Sequence, residues 1–185
     1  MMANHVYFHI DTDCDTKCFN DAFVFEKVER RNYSGDKTYM VNELVMMEHQ
    51  PFYKSVDKTF DKDGWLENSY SWYCDNVGAK WIDVEEANDG FVYGHSAWSP
   101  PIAFVEHLVE YLSNVSDAEV NASMTYEDEF RNFVGKVYVG SQQHEDGSWS
   151  AYAGDPIETD GEELIEQMLE EYPFLRKEYE GDNFE

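Results

Sequence analysis

The chain has 185 residues, of which 42% are hydrophobic and 16% aromatic, so it can build one packed domain without a disulfide or a structural metal. It carries 39 Asp and Glu against 13 Lys and Arg, a formal net charge of −26. That charge excludes direct binding to nucleic acid or to an anionic membrane, and it favours a basic protein surface as the partner.

In the first half of the chain, hydrophobic periodicity predicts strands, helices and one irregular stretch. Phe19, Ala22 and Phe23 recur at helical spacing after an Asp-rich segment, and Gly35 ends that periodic run. The predicted elements are a strand at Val6–Ile10, a helix from about Asp15 to Arg31, a strand at Tyr39–Met47, an irregular stretch over residues 50–68 and a helix at Glu67–Asn76.

The second half of the chain has clearer signals. Ser99 provides an N-cap hydroxyl before two prolines, and this predicts a helix directly after the strand Gly90–Trp98. Apolar residues alternate with polar ones from Ala118 to Tyr126, as in a half-buried strand. The remaining predicted elements are a turn at Glu127-Asp128-Glu129, a strand over residues 133–139, a hairpin turn at Asp146-Gly147, a strand at Trp149–Ala153 and a last helix that begins near Asp160 with Glu163 as a capping box.

This order of elements predicts an α+β fold in which an antiparallel sheet has its helices packed on one face. We expect residues 66–157 to form the main part of the fold and residues 158–185 to form an acidic C-terminal helix and tail. Residues 1–65 are predicted to be a strand-helix-strand part of the same fold or a small subdomain.

Two segments of the chain resemble a particular family. The first, residues 72–81, contains G-x-K-W, and the second, residues 94–101, ends in W-S-P-P. They resemble the YubB-like, ferredoxin-like domain of phage and plasmid proteins, in a match that spans roughly residues 70–153. Ser96 stands where that family usually has Thr, and Val77 stands where it often has Trp.

The resemblance implies a ferredoxin-like core and an origin in a mobile element, above all a phage. It implies no catalytic residues, because no activity is established for that family. A fold by itself does not define a reaction, so the function has to be argued from the side chains of this chain.

Two patterns invite a metal-binding or catalytic interpretation. The segment D-T-D-C-D at residues 11–15 resembles the start of a phosphatase nucleophile loop or of an EF-hand, but Asp15, Thr16 and Ala22 stand where those motifs require other residues. Acidic residues at a helix N-terminus explain the segment better, because they stabilise the helix dipole.

Cysteine and histidine residues form the other pattern. A zinc site assembled from Cys14, Cys18, Cys74, His5 and His9 lacks the usual ligand spacing, and a turn of helix explains the cysteine pair. His95 is expected to be a packed strand histidine. We therefore predict no catalytic residue, no metal site and no cofactor.

The acidic residues concentrate towards the C-terminus. Residues 81–130 carry 11 acids and no Lys or Arg, and residues 158–185 carry 11 acids against two bases. Salt adaptation would explain them, but 26 charges also match those on about 44 Å of duplex DNA, close to the roughly 40 Å diameter of a chain this long. The residues predicted to contact a partner are a loop, Glu127, Asp128 and Glu129, and an exposed helical row, Glu162, Glu163, Glu166, Glu170 and Glu171.

The sequence favours a non-enzymatic, phage-type acidic protein that mimics DNA and binds the basic surface of a host protein. Such a protein would inhibit a host defence system based on restriction, exclusion or CRISPR. An odd number of cysteines and the lack of a secretory or transmembrane run favour the cytoplasm, that of the host if a phage encodes the chain. Three questions stay open: whether the chain is a ligand-binding protein or enzyme of a salt-adapted phage with a pocket near Trp98, whether it is a divalent-cation-binding accessory protein, and whether it forms a homodimer.

Overall fold

The computed structural model describes residues 4–130 and 133–159 together with residues 166 and 170. They form a mixed α/β fold with a seven-stranded antiparallel sheet and a separate two-stranded sheet. The helices are α1 (Thr16–Asp21), α2 (Ser69–Asn76) and α3 (Ile102–Ser116), with short 3₁₀ helices at Met47–His49 and Pro51–Tyr53. The strands are β1 (His5–Thr12), β2 (Phe25–Arg31), β3 (Thr38–Leu44), β4 (Ile82–Asn88), β5 (Phe91–Ala97), β6 (Ala122–Asp128), β7 (Val134–Gln143), β8 (Trp149–Ala153) and β9 (Ile157–Thr159).

Strand β1 lies in the middle of the large sheet, where it pairs with β5 on one side and β6 on the other. The strand order is β4-β5-β1-β6-β7-β8, and β9 also pairs with β7. Phe8 of β1 stands opposite Gly94 of β5 and Tyr126 of β6. Because neighbouring strands run in opposite directions, the C-terminal end of β1 lies at the same end of the sheet as the β4–β5 turn, the α3–β6 loop and the β7–β8 turn.

The core lies between one face of this sheet and α3. Val6, Phe8 and Ile10 alternate along β1 and are fully buried, and the Phe8 ring lies 6.4 Å from the ring of Phe104 in α3. The apolar face that the sequence predicts for α3 is buried as well, and burying each such side chain stabilises the fold by about 1.5–3 kcal/mol. The buried residues of this face are Phe104, Val105, Leu108, Val109 and Leu112.

The predicted helix from Asp15 to Arg31 is wrong beyond its first few residues. Asp15 does begin a helix, since its carboxylate accepts hydrogen bonds from the N–H groups of Lys17 (2.8 Å) and Cys18 (3.1 Å), but α1 ends at Asp21. The chain then enters β2, which pairs with β3 along its whole length. The apolar spacing that predicted a long helix belongs to α1 and the residues just after it, whereas β2 satisfies its backbone groups across the hairpin.

The start of α3 also differs from the prediction. Pro101 precedes the first helical residue, and no side chain caps the helix. The Ser99 hydroxyl instead donates to the backbone oxygen of Gly78 (2.7 Å), and the N–H of Phe104 donates to the carbonyl of Val77 (3.1 Å). The N-terminus of α3 is therefore held by the chain reversal that follows α2, where Gly78 has a φ of +88°.

Two strand boundaries differ from the prediction. Strand β4 was not predicted, because Asp83, Glu85 and Glu86 interrupt its apolar pattern. Charged residues are common on edge strands, because they prevent the strand from pairing with other chains. The turn predicted at Glu127-Asp128-Glu129 begins only at Glu129, because β6 continues to Asp128. The Asp128 side chain is buried and accepts a hydrogen bond from Nδ2 of Asn4 (2.8 Å).

Other predictions are confirmed. Strand β5 covers most of the predicted Gly90–Trp98, β8 has the predicted bounds, and the turn at Asp146-Gly147 joins β7 to β8. The capping box of the last helix lies outside the described residues. In the part of the chain that is described, no helix is both long enough and apolar enough to cross a membrane.

Gly135 leaves room for an aromatic ring between β6 and β7. A Cβ at this position would overlap the ring of Tyr126, which is buried and donates a hydrogen bond to Oε2 of Glu158 (3.0 Å). We expect Gly135→Ala to lower the free energy of unfolding by about 1–3 kcal/mol in urea denaturation, because the ring has to move. Gly154→Ala is the control, since its Cβ would make an ordinary 3.6 Å contact; equal losses in both variants would contradict the explanation.

His9 makes the stability depend on pH. It is 2% exposed, its ring lies 4.7 Å from that of Tyr93, and burial lowers the pKa of its imidazole to about 4. The unfolded chain therefore binds a proton below about pH 6.5 that the folded chain binds only below about pH 4, so stability falls as the pH drops through this window, by up to about 3 kcal/mol. Urea unfolding at several pH values should show a smaller fall for His9→Phe than for the exposed control His144→Ala; identical pH profiles would refute this.

Candidate functional site

Four connecting segments at one end of the sheet, which we call loops, carry a group of carboxylates, and we call this region the acidic end. The loops are residues 13–21, which include the short helix α1, residues 88–90, 117–121 and 144–148, and Lys17 is the one Lys or Arg in their sequences. Their acidic residues are all exposed: Asp13, Asp15, Asp21, Asp89, Asp117, Glu119, Glu145 and Asp146. By contrast, residues 22–67 carry nine acids against seven bases.

Hydrogen bonds fix the loops of the acidic end against one another. Asp13 accepts from the N–H of Asn121 (2.7 Å) and from its side-chain amide (3.1 Å), which ties the end of β1 to the start of β6. The N–H of Thr12 donates to the carbonyl of Gly90 (2.8 Å), which ties β1 to the β4–β5 turn. The backbone thus holds like charges near each other, and their summed field extends into solvent.

The loop predicted to contact a partner, residues 127–129, lies at the opposite end of the sheet from the acidic end. Glu127 is half-buried and Asp128 buried, and the two project from opposite faces of β6, so they form no exposed cluster with Glu129. Glu166 and Glu170 are helical and exposed. Glu162, Glu163 and Glu171 lie outside the described residues.

The sequence contains a local signal for the acidic end, although that signal by itself indicates only a helix N-terminus. The Asp-rich segment 11–15 directly follows a buried strand, and turn residues at strand ends meet wherever the strands pair. The N-terminal interpretation of Asp15 is confirmed, but Asp13 turns towards another loop. That second role depends on the strand order, which the local pattern does not contain.

The cysteine and histidine candidates occupy ordinary packing positions. Among residues 4–130 and 133–159, no three His, Cys, Asp or Glu side chains are placed to hold a metal ion. Burial, with smaller effects from Cys18 and nearby Asp residues, raises the pKa of the Cys14 thiol to about 11, so it is a poor nucleophile at neutral pH. The ring of His95 packs 5.5 Å from that of Trp81, and its Nδ1 lies 3.1 Å from Oε1 of Glu85.

A second feature, which we call the aromatic cleft, lies between α2, the start of β4 and the loops before α2. Its volume is about 600 Å³, within the range of known ligand sites. Trp65 and Tyr70 line it with large exposed fractions, 65% and 61%. Its other lining residues are Met46, Glu48, Leu66, Ser69, Tyr73, Lys80, Trp81 and Ile82.

Lys80 stands at the edge of the cleft and is held by rings. Its Nζ lies 4.9 Å from the ring centroid of Trp98 and 5.7 Å from that of Tyr70, and no carboxylate in the described part of the chain forms an ion pair with it. Trp98 has a φ of +73°, a strained conformation for a bulky residue that costs on the order of 1–3 kcal/mol. Its N–H donates to the carbonyl of Asn4 (2.9 Å), and the strained backbone places the indole beside Lys80.

A buried carboxylate forms the floor of the cleft. Glu48 is 3% exposed, and its Oε2 accepts a hydrogen bond from the hydroxyl of Tyr73 (2.7 Å). Burial, followed by this hydrogen bond, raises the pKa of Tyr73, so the hydroxyl stays a donor. Burial lowers the pKa of the nearby Lys58 ammonium, and attraction to Glu48 opposes that shift. The floor of the cleft is therefore polar, and the charge of Glu48 is largely compensated by its surroundings, whereas the walls of the cleft are aromatic.

Comparison of the chain with known protein families, with curated protein sequences and with solved structures gives no match. The function has to be argued from the acidic end and the aromatic cleft themselves.

Tyr73 and Glu48 give a stability test of the cleft floor. Tyr73→Phe removes the hydroxyl that donates to a buried carboxylate, and we expect a loss of about 1–3 kcal/mol in the free energy of unfolding. Tyr70→Phe is the matched control, because its exposed hydroxyl has no hydrogen-bond partner among the described residues. Adding Glu48→Gln to Tyr73→Phe should recover part of the loss in urea denaturation; strictly additive losses would show that the two side chains do not interact.

Proposed function

We propose that the protein is a phage-type acidic protein that binds the basic, DNA-binding surface of a host protein through its acidic end. By occupying that surface it would inhibit a host defence system, without catalysis, in the host cytoplasm. The observation that carries this proposal is the set of eight exposed carboxylates on four neighbouring loops whose sequences contain a single Lys.

Charge complementarity supports a protein partner. A protein surface that binds duplex DNA is built to meet about one negative charge per 1.7 Å of axis, and a tight group of fixed carboxylates offers a similar target. Adaptation to salt would spread acids over the whole surface, whereas residues 22–67 are nearly balanced in charge and the four loops are not. The uneven distribution favours recognition of a partner.

The strand order supports a ferredoxin-like core. If the segment with β2, β3 and α2 is counted as an insertion, β1, α1, β4, β5, α3 and β6 make a β-α-β-β-α-β series, in which β1 lies between β5 and β6 and all pairings are antiparallel. We propose that this series is the ferredoxin-like part of the chain. The remaining strands, β7 to β9, would extend it on one side.

Charge reversal tests which acids contact the partner. We expect Asp21→Lys, Glu119→Lys and Glu145→Lys together to abolish capture of host proteins from a lysate at low salt, because the partner's basic surface would meet like charge. Capture by the unaltered protein should fall steeply between about 50 and 200 mM salt, and duplex DNA should elute the captured protein. Mass spectrometry of the eluate identifies the partner.

Two further variants separate location from net charge. Glu26→Lys, Glu29→Lys and Asp75→Lys alter exposed acids outside the acidic end, and either set of three reversals moves the net charge from −26 to −20. This control should capture the partner almost normally. Glu162→Lys, Glu166→Lys and Glu170→Lys test the C-terminal row in the same way. If the acidic-end variant recovers the same proteins as the unaltered chain, the acidic end is not the contact surface.

A further inference from the structure

The aromatic cleft has walls typical of a ligand site, and it has no role in the partner binding proposed for the acidic end. We propose that it binds a neutral saccharide, with a pyranose ring stacked on its aromatic walls. The cleft lies where β4 begins, at the opposite end of the sheet from the acidic end, and the two sites do not depend on each other.

The walls supply the stacking surface. Trp65 and Tyr70 present exposed rings at its mouth, and Trp81 is half-exposed beside them. Exposed aromatic side chains gathered around one concavity are uncommon on a protein that has no ligand to cover them. The flat C–H face of a pyranose would displace water from these rings, and the indole N–H groups could bond to its hydroxyls.

The polar groups of the cleft suit hydroxyls better than they suit a charge. Lys80 brings donors to the edge, and the exposed hydroxyl of Ser69 can donate or accept. A sugar hydroxyl likewise donates and accepts, so it can bond to either group. A hydrogen bond to the charged Lys80 ammonium is stronger than one between neutral groups.

Charged ligands fit less well. An anion would meet the Glu48 carboxylate on the floor and the field of a chain with a net charge of −26. A cation would compete with Lys80, which already lies over the rings of Tyr70 and Trp98. A neutral ring with an apolar face and polar edges avoids both penalties.

Saturation-transfer NMR on the full chain tests the proposal. The probes are glucose, galactose, mannose, N-acetylglucosamine, cellobiose, maltose and chitobiose, each at millimolar concentration, with AMP and N-acetyl-arginine amide as charged alternatives. We expect transfer from the protein to the ring protons of at least one saccharide, and at least about tenfold weaker binding of that saccharide to Trp65→Ala. Trp65 is 65% exposed, so its removal leaves the core intact.

Controls make each outcome decisive. Tyr152→Ala removes an equally prominent aromatic residue, 57% exposed on β8, and should bind the saccharide normally, as should the charge-reversed acidic-end variant. Transfer to none of the saccharides overturns the proposal, and so does Trp65-dependent transfer to AMP or to the arginine amide alone. Undiminished saccharide binding to Trp65→Ala would place the site elsewhere and overturn it as well.

Discussion

The pairing of β1 with both β5 and β6 is the constraint on which the rest of the structure depends. It joins residues that lie between 80 and 122 positions apart. It also buries Val6, Phe8 and Ile10 against α3. The two ends of this one strand also position the two candidate sites. At its C-terminal end Thr12 and Asp13 tie together the loops of the acidic end, and at its N-terminal side the carbonyl of Asn4 holds the strained backbone of Trp98.

The fold also explains how a chain of this charge remains compact. Mutual repulsion among carboxylates opposes folding, and the balance comes from an apolar core that runs from β1 through α3 to the 3₁₀ helices. Aromatic rings dominate this core: Phe52 contacts Phe23, Tyr53 and Phe104 with ring centroids 5.0–5.6 Å apart. Acids at exposed loops and on the edge strand β4 remain in water, where the repulsion is weakest.

The chain therefore has two chemically different ends. One collects carboxylates from loops that are distant in sequence, and the other places exposed rings around a cleft with a single resident cation. Lys80 is the one Lys or Arg between Lys62 and Arg131, and it rests on aromatic rings without an ion pair to any described carboxylate. A protein that uses charge at one end and stacking at the other can bind two unrelated partners without competition between them.

The sequence by itself determined the elements whose signals are local. The apolar face of α3, the hairpin turn at Asp146-Gly147 and the helix start at Asp15 were all predicted from neighbouring residues and are confirmed. Long-range pairing decided the rest. Strand β2 took residues that were predicted to continue the helix of α1, because β3 was available to pair with them. Asp128 was predicted as a turn residue but is buried because β6 continues.

The candidate sites show the same division. Net charge alone predicted an acidic surface. The carboxylates of the acidic end, however, come from four loops that only the strand order of the sheet brings together. The predicted cluster at Glu127-Asp128-Glu129 is divided because side chains alternate between the two faces of a strand. The cleft likewise joins Trp65, Tyr70 and Lys80 from separate elements. Composition and local pattern are properties of the chain, whereas a site is a property of which segments meet, and that is set by tertiary packing.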